Sequence, residues 1–311
     1  MRLQTPPLYF LLLEGSWIMS LFDKDNAPLD DKEALQRHIE RALAVKAPPA
    51  LAVELSYQMV KRLFKPMVIG AENIPRKPCL FVGNHSLFAL DGAIVLPLLL
   101  KEFKRFTRGM GDKFLFSNRH IADTLLASGM VMGHPAVCTA LMEDLQDILV
   151  FPGGAYEAVK PISKLYELQW KERYGFVKMA ALHGYTIMPF GLVGPDEFYG
   201  HLIEGQDLPE SALGRWLTRL GLLNDSIRYD ILPPVPIGSL GTPFPKPQRC
   251  YLGFGRPIDL SRYKGKTPAR KTLLTIRNQV STEIELQLSQ LLERREQHKG
   301  TDSLLRRLLT I

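Results

Sequence analysis

The stretch Cys79–Asp91, CLFVGNHSLFALD, decides how the chain is read. Cys79-Leu80-Phe81-Val82 is a short apolar run that fits a fully buried strand, and Gly83-Asn84 breaks it. His85 falls on the exit loop. Asp91 follows after five intervening residues, and the apolar segment beyond it, Gly92–Leu100, suits a helix packed on a sheet. A histidine at a strand end, with a carboxylate opening the next helix, fits a base and its orienter. The carboxylate holds the imidazole tautomer that leaves the other nitrogen free to take a proton. The same residues also fit a loop histidine beside an N-capping aspartate. The stretch alone leaves both readings open.

Outward from it, strands and helices alternate. Upstream, Asp30–Val45 and Ala50–Phe64 carry apolar residues at helical spacing, and Met67–Ile69 reads as a strand. Downstream, Arg105–Gly111 is a short strand or loop, Asp112 caps a further helix, and Gly129–Gly133 is a strand bounded by glycines. Pro135–Leu145 is helical and Asp147–Phe151 is a buried strand. Trp170–Leu182 has helical spacing, Tyr185–Phe190 and Arg249–Phe254 are strands, and Pro268–Arg295 is one long helix. Six prolines between Pro233 and Pro247 predict an extended surface loop. This grain predicts an α/β fold: a mixed, largely parallel sheet flanked by helices, with N-terminal amphipathic helices ahead of it. The expected division is a helical extension over 1–48, the main domain over 49–298 and a tail over 299–311.

Composition narrows the function. The chain has 311 residues, 46% hydrophobic and 23% charged, which is globular rather than disordered. Its three cysteines, Cys79, Cys138 and Cys250, stand far apart and in no metal-ligand spacing, which points to a reducing compartment. The net charge of +7 favours polyanions. The aromatics lie inside apolar runs rather than among Lys and Arg, so an anionic membrane surface is expected and nucleic acid is not. The longest apolar runs, Leu8–Leu13 and Ala93–Leu100, fall short of the roughly 20 residues that span a bilayer. The N-terminus lacks a small-residue cleavage site, and Met19 opens a more polar beginning. A cytoplasmic protein, peripheral on the inner face of a membrane, is the expectation.

A second constellation is FPGGAYEA, Phe151–Ala158. Adjacent glycines after a buried strand allow a turn that most residues forbid, and their amides can face a cleft at the sheet's carboxyl edge. There they can stabilise an oxyanion or approach a ligand chain closely; a tight turn with no ligand fits as well. Glu157 reads as a buried anchor for loop backbone. No G-x-S-x-G elbow, P-loop or G-x-G-x-x-G stretch follows a strand, and the remaining histidines show no metal-binding spacing. No metal or bound cofactor is expected.

Together, Asn84-His85 with Asp91 and the glycine turn resemble the glycerolipid or lysophospholipid acyltransferase superfamily. The wording is closest to a branch similar to diacylglycerol acyltransferases and phytyl ester synthases. That branch carries an Asn-His box with five spacers before its aspartate, then FPGG followed by a glutamate, here Glu157. The runs from Tyr166 through Trp170 and Arg173 to Gly194-Pro195-Asp196-Glu197-Phe198, and Phe254–Ile258, also look like that branch. The resemblance spans roughly Val68–Tyr263. It implies an O-acyltransferase that moves a fatty acyl group from acyl-CoA or acyl-carrier protein to a lipid hydroxyl, with His85 as base and Asp91 as its orienter. It also implies Asn84, Phe151, Pro152, Gly153, Gly154, Tyr156 and Glu157 at the substrates. Tyr156 stands where the branch usually has arginine, and Gly129–His134, where phosphate-acceptor relatives carry an arginine, has none. Lys160 or Lys164 can substitute, but a neutral acceptor such as diacylglycerol or a long-chain alcohol fits better than lysophosphatidate.

Overall fold

The computed structural model describes residues 31–116, 119–221, 223, 228–298 and 300–310. Leu8–Leu13 and Met19 lie outside the described residues. The apolar runs pair side by side in one eight-stranded sheet. Its path is β1 (Met67–Ile69), β9 (Tyr251–Phe254), β6 (Thr186–Val193), β2 (Cys79–Gly83), β5 (Asp147–Val150), β3 (Thr107–Gly111) and β4 (Val131–Met132), with β10 (Ile258–Asp259) pairing β6 off the path. Every pairing is parallel except β6 with β9 and β6 with β10. The sheet is therefore mixed and largely parallel. The central strand β2 is buried at all five residues, which is why it reads as an unbroken apolar run.

Helices cover both faces and divide the core in two. One cluster lies under α1 (Lys32–Ala44), α5 (Pro135–Glu143), α7 (Gly175–His183) and α9 (Arg270–Gln297). The other lies under α2 (Ala50–Phe64) and α3 (Leu90–Phe103). Helix α1 is seated on the domain: Ala42 joins the core, the Ala42 carbonyl accepts from Arg108 at 2.8 Å, and His38 Nε2 accepts from Met132 N–H at 3.1 Å. Burial, then Arg41 and Arg108, lower the His38 pKa to about 4, in keeping with a neutral acceptor. The described part of the 1–48 extension is thus built into the main body. The three cysteines are free and buried.

The structure departs from the sequence reading in three places. Helix α7 begins at Gly175, not Trp170, because Lys171 adopts a left-handed φ of 51°, which breaks the helical backbone there. Asp112 caps only a 3-10 turn, Lys113–Phe116, and α4 (Arg119–Ala127) follows it. The proline-rich segment contains β8 (Val235–Ile237), antiparallel to β7 (Gly200–Ile203) in a separate two-stranded sheet. Pro236 is tolerated there because a two-stranded pair leaves each strand an outer edge that needs no donor.

Candidate active site

Strands β2, β5 and β6 run parallel, so the loops that leave them meet at one edge of the sheet. β2 delivers His85, β5 delivers the Phe151–Gly154 turn, and β6 delivers Gly194-Pro195-Asp196. Before α3 begins, Phe88 and Ala89 both adopt left-handed backbone, with φ of 57° and 55°. That conformation costs a non-glycine residue roughly 1–2 kcal/mol. Here it folds Asp91 back onto His85, whose Nδ1 lies 2.7 Å from Asp91 Oδ2. Ser86 N–H donates to the same oxygen at 2.6 Å, Gly92 N–H donates to Oδ1 at 2.6 Å, and Ser86 Oγ accepts from Asp91 N–H at 3.1 Å. Asp91 is buried and held on both oxygens. A carboxylate at Nδ1 places the ring proton there and leaves the Nε2 lone pair open. Among the described residues Nε2 makes no hydrogen bond. Phe151 stacks flat on the imidazole, with centroids 4.4 Å apart and planes 6° from parallel.

His85 is also held by its backbone. Its N–H donates to Glu157 Oε1 at 2.8 Å, and its carbonyl accepts from Lys160 Nζ at 2.5 Å. Glu157 Oε2 accepts from Gln169 N–H at 3.3 Å, and Lys160 donates a second bond to Asp196 Oδ1 at 2.8 Å. Asp196 Oδ2 accepts from Tyr166 N–H at 2.8 Å. Burial pushes the Glu157 carboxyl up to about 7, against the pull of Lys160 and of the His85 N–H. Burial likewise raises Asp196, against Lys160.

The glycine turn is sterically required. A Cβ on Gly153 would stand 2.0 Å from Glu157 Oε2, and Gly154 has a φ of +53°. Of the two glycine amides, Gly154 N–H donates to the Phe151 carbonyl at 2.9 Å, while Gly153 N–H has no backbone acceptor among the described residues. Arg173 braces the outside of the turn by donating to the carbonyls of Pro152 at 3.1 Å and Gly153 at 2.6 Å. Tyr156 sits at the rim, its ring 3.7 Å from the Lys171 ammonium.

The structure thus brings His85, Asp91, Phe151, Pro152, Gly153, Gly154 and Tyr156 into one region. Two of the expected substrate contacts sit behind it instead. Asn84 is buried and its amide exchanges bonds with the Leu192 N–H (2.8 Å) and carbonyl (3.0 Å), which extends the β2–β6 pairing by one rung. Glu157 is fully buried with both oxygens on backbone donors, as its anchor reading predicts. Lys160 does not face an acceptor phosphate: it is buried between His85 and Asp196. Its role, with that of Asp196 and Arg173, is what sequence reasoning missed. The available signal was the Glu157–Lys160 spacing after a strand end, together with an acid in the Gly194–Phe198 run. Among the described residues no group of His, Cys, Asp and Glu could hold a metal ion, and no helix is long and apolar enough to cross a membrane.

No protein-family model matches the chain. Curated relatives do. Phytyl ester synthase 1, chloroplastic, of Arabidopsis thaliana is 31% identical over 248 residues, 74% of this chain and 35% of that protein. Phytyl ester synthase 2, chloroplastic, of the same plant is 26% identical over 74% of this chain and 34% of that protein. Over those spans the chain is similar to both plant enzymes. A DGAT1/2-independent enzyme synthesizing storage lipids, from Gallus gallus, is 28% identical over 120 residues, 39% of this chain and 36% of that protein. The chain spans about a third of the length of these relatives. Among solved structures, the 1-acyl-sn-glycerophosphate acyltransferase PlsC from Thermotoga maritima aligns over 88% of this chain and 95% of that chain, with a TM-score of 0.45 and 14% identity.

Proposed function

We propose that the protein is an O-acyltransferase that works at a membrane surface and moves a fatty acyl group from a thioester to the hydroxyl of a neutral lipid. The observation that carries this reading is the buried His85–Asp91 pair, 2.7 Å apart, with Nε2 unengaged at the sheet's carboxyl edge. Nε2 takes the proton of the acceptor hydroxyl as its oxygen attacks the thioester carbonyl. Asp91 stabilises the imidazolium that forms, and the Gly153 N–H is the candidate donor to the oxyanion. Collapse forms the ester and expels the thiolate. The imidazolium returns its proton to that thiolate, and the base is restored. The substrate's hydroxyl is the nucleophile, so none is needed from the protein.

The names of the relatives support a lipid acyl acceptor. Tyr156 in place of arginine and the sequestered Lys160 support a neutral one, because neither offers a charged fork to a phosphate. The test supplies one labelled acyl-CoA, and separately an acyl-carrier protein donor, against diacylglycerol, a long-chain alcohol and lysophosphatidate in vesicles. The expected result is ester from a neutral acceptor that disappears in His85→Ala. Product from lysophosphatidate alone would refute the neutral-acceptor assignment, and product that survives His85→Ala would refute the base.

A further inference from the structure

Helix α2 buries Tyr57, Val60 and Phe64 against the core, yet Leu51, Leu55, Met59 and Leu63 stand exposed by 71%, 63%, 56% and 45%. Residues four apart share one face of a helix, so these four make a single stripe. A second apolar face abuts its end. The short helix α10 (Leu304–Leu309) leaves Leu304, Leu305 and Leu308 exposed while burying Arg306. Arg306 donates to the carbonyls of Arg62, Leu63 and Pro247, which pins α10 to the C-terminal end of α2. Leu309 in turn accepts from Ser239 Oγ at 2.8 Å, which ties in the turn bearing the exposed Leu240 and, beyond it, Phe244. The belt then reaches the active site. Pro243 accepts from the Tyr199 hydroxyl at 3.1 Å, and Tyr199 meets edge-on the exposed Phe88, three residues past His85.

Where α2 meets α10 the exposed charge is positive. Lys61, Arg62 and Lys65 are exposed at the end of α2 and Arg307 on α10, with no acid in α10 or in the last two turns of α2. The nearest acids are engaged: Glu54 with Lys101 at 2.5 Å and Asp302 with Arg249 at 2.7 Å. Exposed leucines rimmed by cations are the pattern of a surface that lies in an anionic lipid interface. We infer that α2 and α10, locked together by Arg306, form one platform that seats the protein on an anionic leaflet with the His85 loop at its margin. The inference takes from the proposed function only the need to reach a lipid acceptor; the apolar belt and its cations are independent of it.

The test is flotation of the full-length chain with phosphatidylcholine vesicles, with and without a third phosphatidylglycerol. The variants are Leu304→Asp/Leu308→Asp and Leu51→Asp/Leu55→Asp. The native chain is expected to float with the anionic vesicles, and each double variant to lose at least ten-fold in the bound-to-free ratio. Circular dichroism and transfer to a short-chain, water-soluble alcohol should be unchanged. Flotation that is equal in the variants, or equal without phosphatidylglycerol, would overturn the platform. So would a native chain that stays unbound, including one that sediments as a dimer dispersed by Leu304→Asp/Leu308→Asp, since a second copy would then cover the face. If transfer to the soluble alcohol is absent from the native chain as well, the proposed chemistry fails while flotation still decides the platform.

Discussion

Removing the Lys160 ammonium tests the buried scaffold beneath His85. Lys160→Met keeps the side chain's length and apolar stem but deletes the donor to both the His85 carbonyl and Asp196 Oδ1. The side chains of the pair are 3% and 2% exposed, so water cannot replace what is lost. Breaking a buried pair from one side costs about 3–5 kcal/mol. For a domain of this size that lowers Tm by roughly 6–20 °C. The penalty must depend on pH. Burial already raises Asp196 and Lys160 opposes the rise, so without Lys160 the folded carboxyl binds its proton at still higher pH. A raised folded pKa contributes stability that is present below the ordinary carboxylate range and lost as pH rises through the folded value. The variant should therefore be weakest near pH 8 and recover toward pH 5. Lys160→Met/Asp196→Asn, which removes the stranded charge and keeps an acceptor for Tyr166 N–H, should regain most of the loss. With Asp196→Asn as the second single variant, urea unfolding of the four proteins at pH 5 and pH 8 closes the double-mutant cycle. A single variant within about 0.5 kcal/mol of the native chain, or a double variant no more stable than the single, would refute the reasoning.

Three further outcomes follow from the same geometry. Asp91→Asn keeps the shape but offers an amide where Nδ1–H needs an acceptor, so kcat should fall by roughly 10²–10⁴ with little change in KM, read by steady-state acyl transfer. Glu157, raised to about 7, contributes about 3 kcal/mol that is full below its unfolded value and lost as pH climbs to about 7. Glu157→Gln should flatten the slope of unfolding free energy between pH 5 and 7, and an unchanged slope would show that another group carries it. Asn84→Ala leaves the Leu192 N–H and carbonyl unpaired and should cost about 2–4 kcal/mol in urea unfolding. A loss below about 0.5 kcal/mol would mean that the strand closes without that rung.

The sheet was legible because its central strands are buried on both faces and so appear as bare apolar runs ended by glycine or proline. β2 and β5 both have that form, and the His85 and Gly153–Gly154 loops follow them directly. Legibility failed where a residue's environment comes from distant chain. The Glu157–Lys160 spacing by itself does not separate Lys160 from an exposed lysine; it is buried because Asp196, 36 residues on, returns beneath it. Asn84 precedes the histidine like a substrate contact, and only the register of β2 on β6 reveals that its amide faces Leu192. The start of α7 was misplaced for a related reason. The 3.6-residue spacing around Trp170 is real, but a left-handed Lys171 interrupts the backbone that periodicity assumes.

The burial of all three cysteines has a practical side. Burial pushes the Cys138 thiol up to about 12 and raises Cys79 and Cys250 further, so none presents a thiolate at neutral pH. A thioester donor releases one free thiol for every acyl group that leaves it. A chromogenic disulfide added to the reaction would therefore count turnovers against a silent protein background. The same reagent would register three further equivalents per chain only when the sheet comes apart, so one optical signal follows product formation and loss of fold on separable timescales.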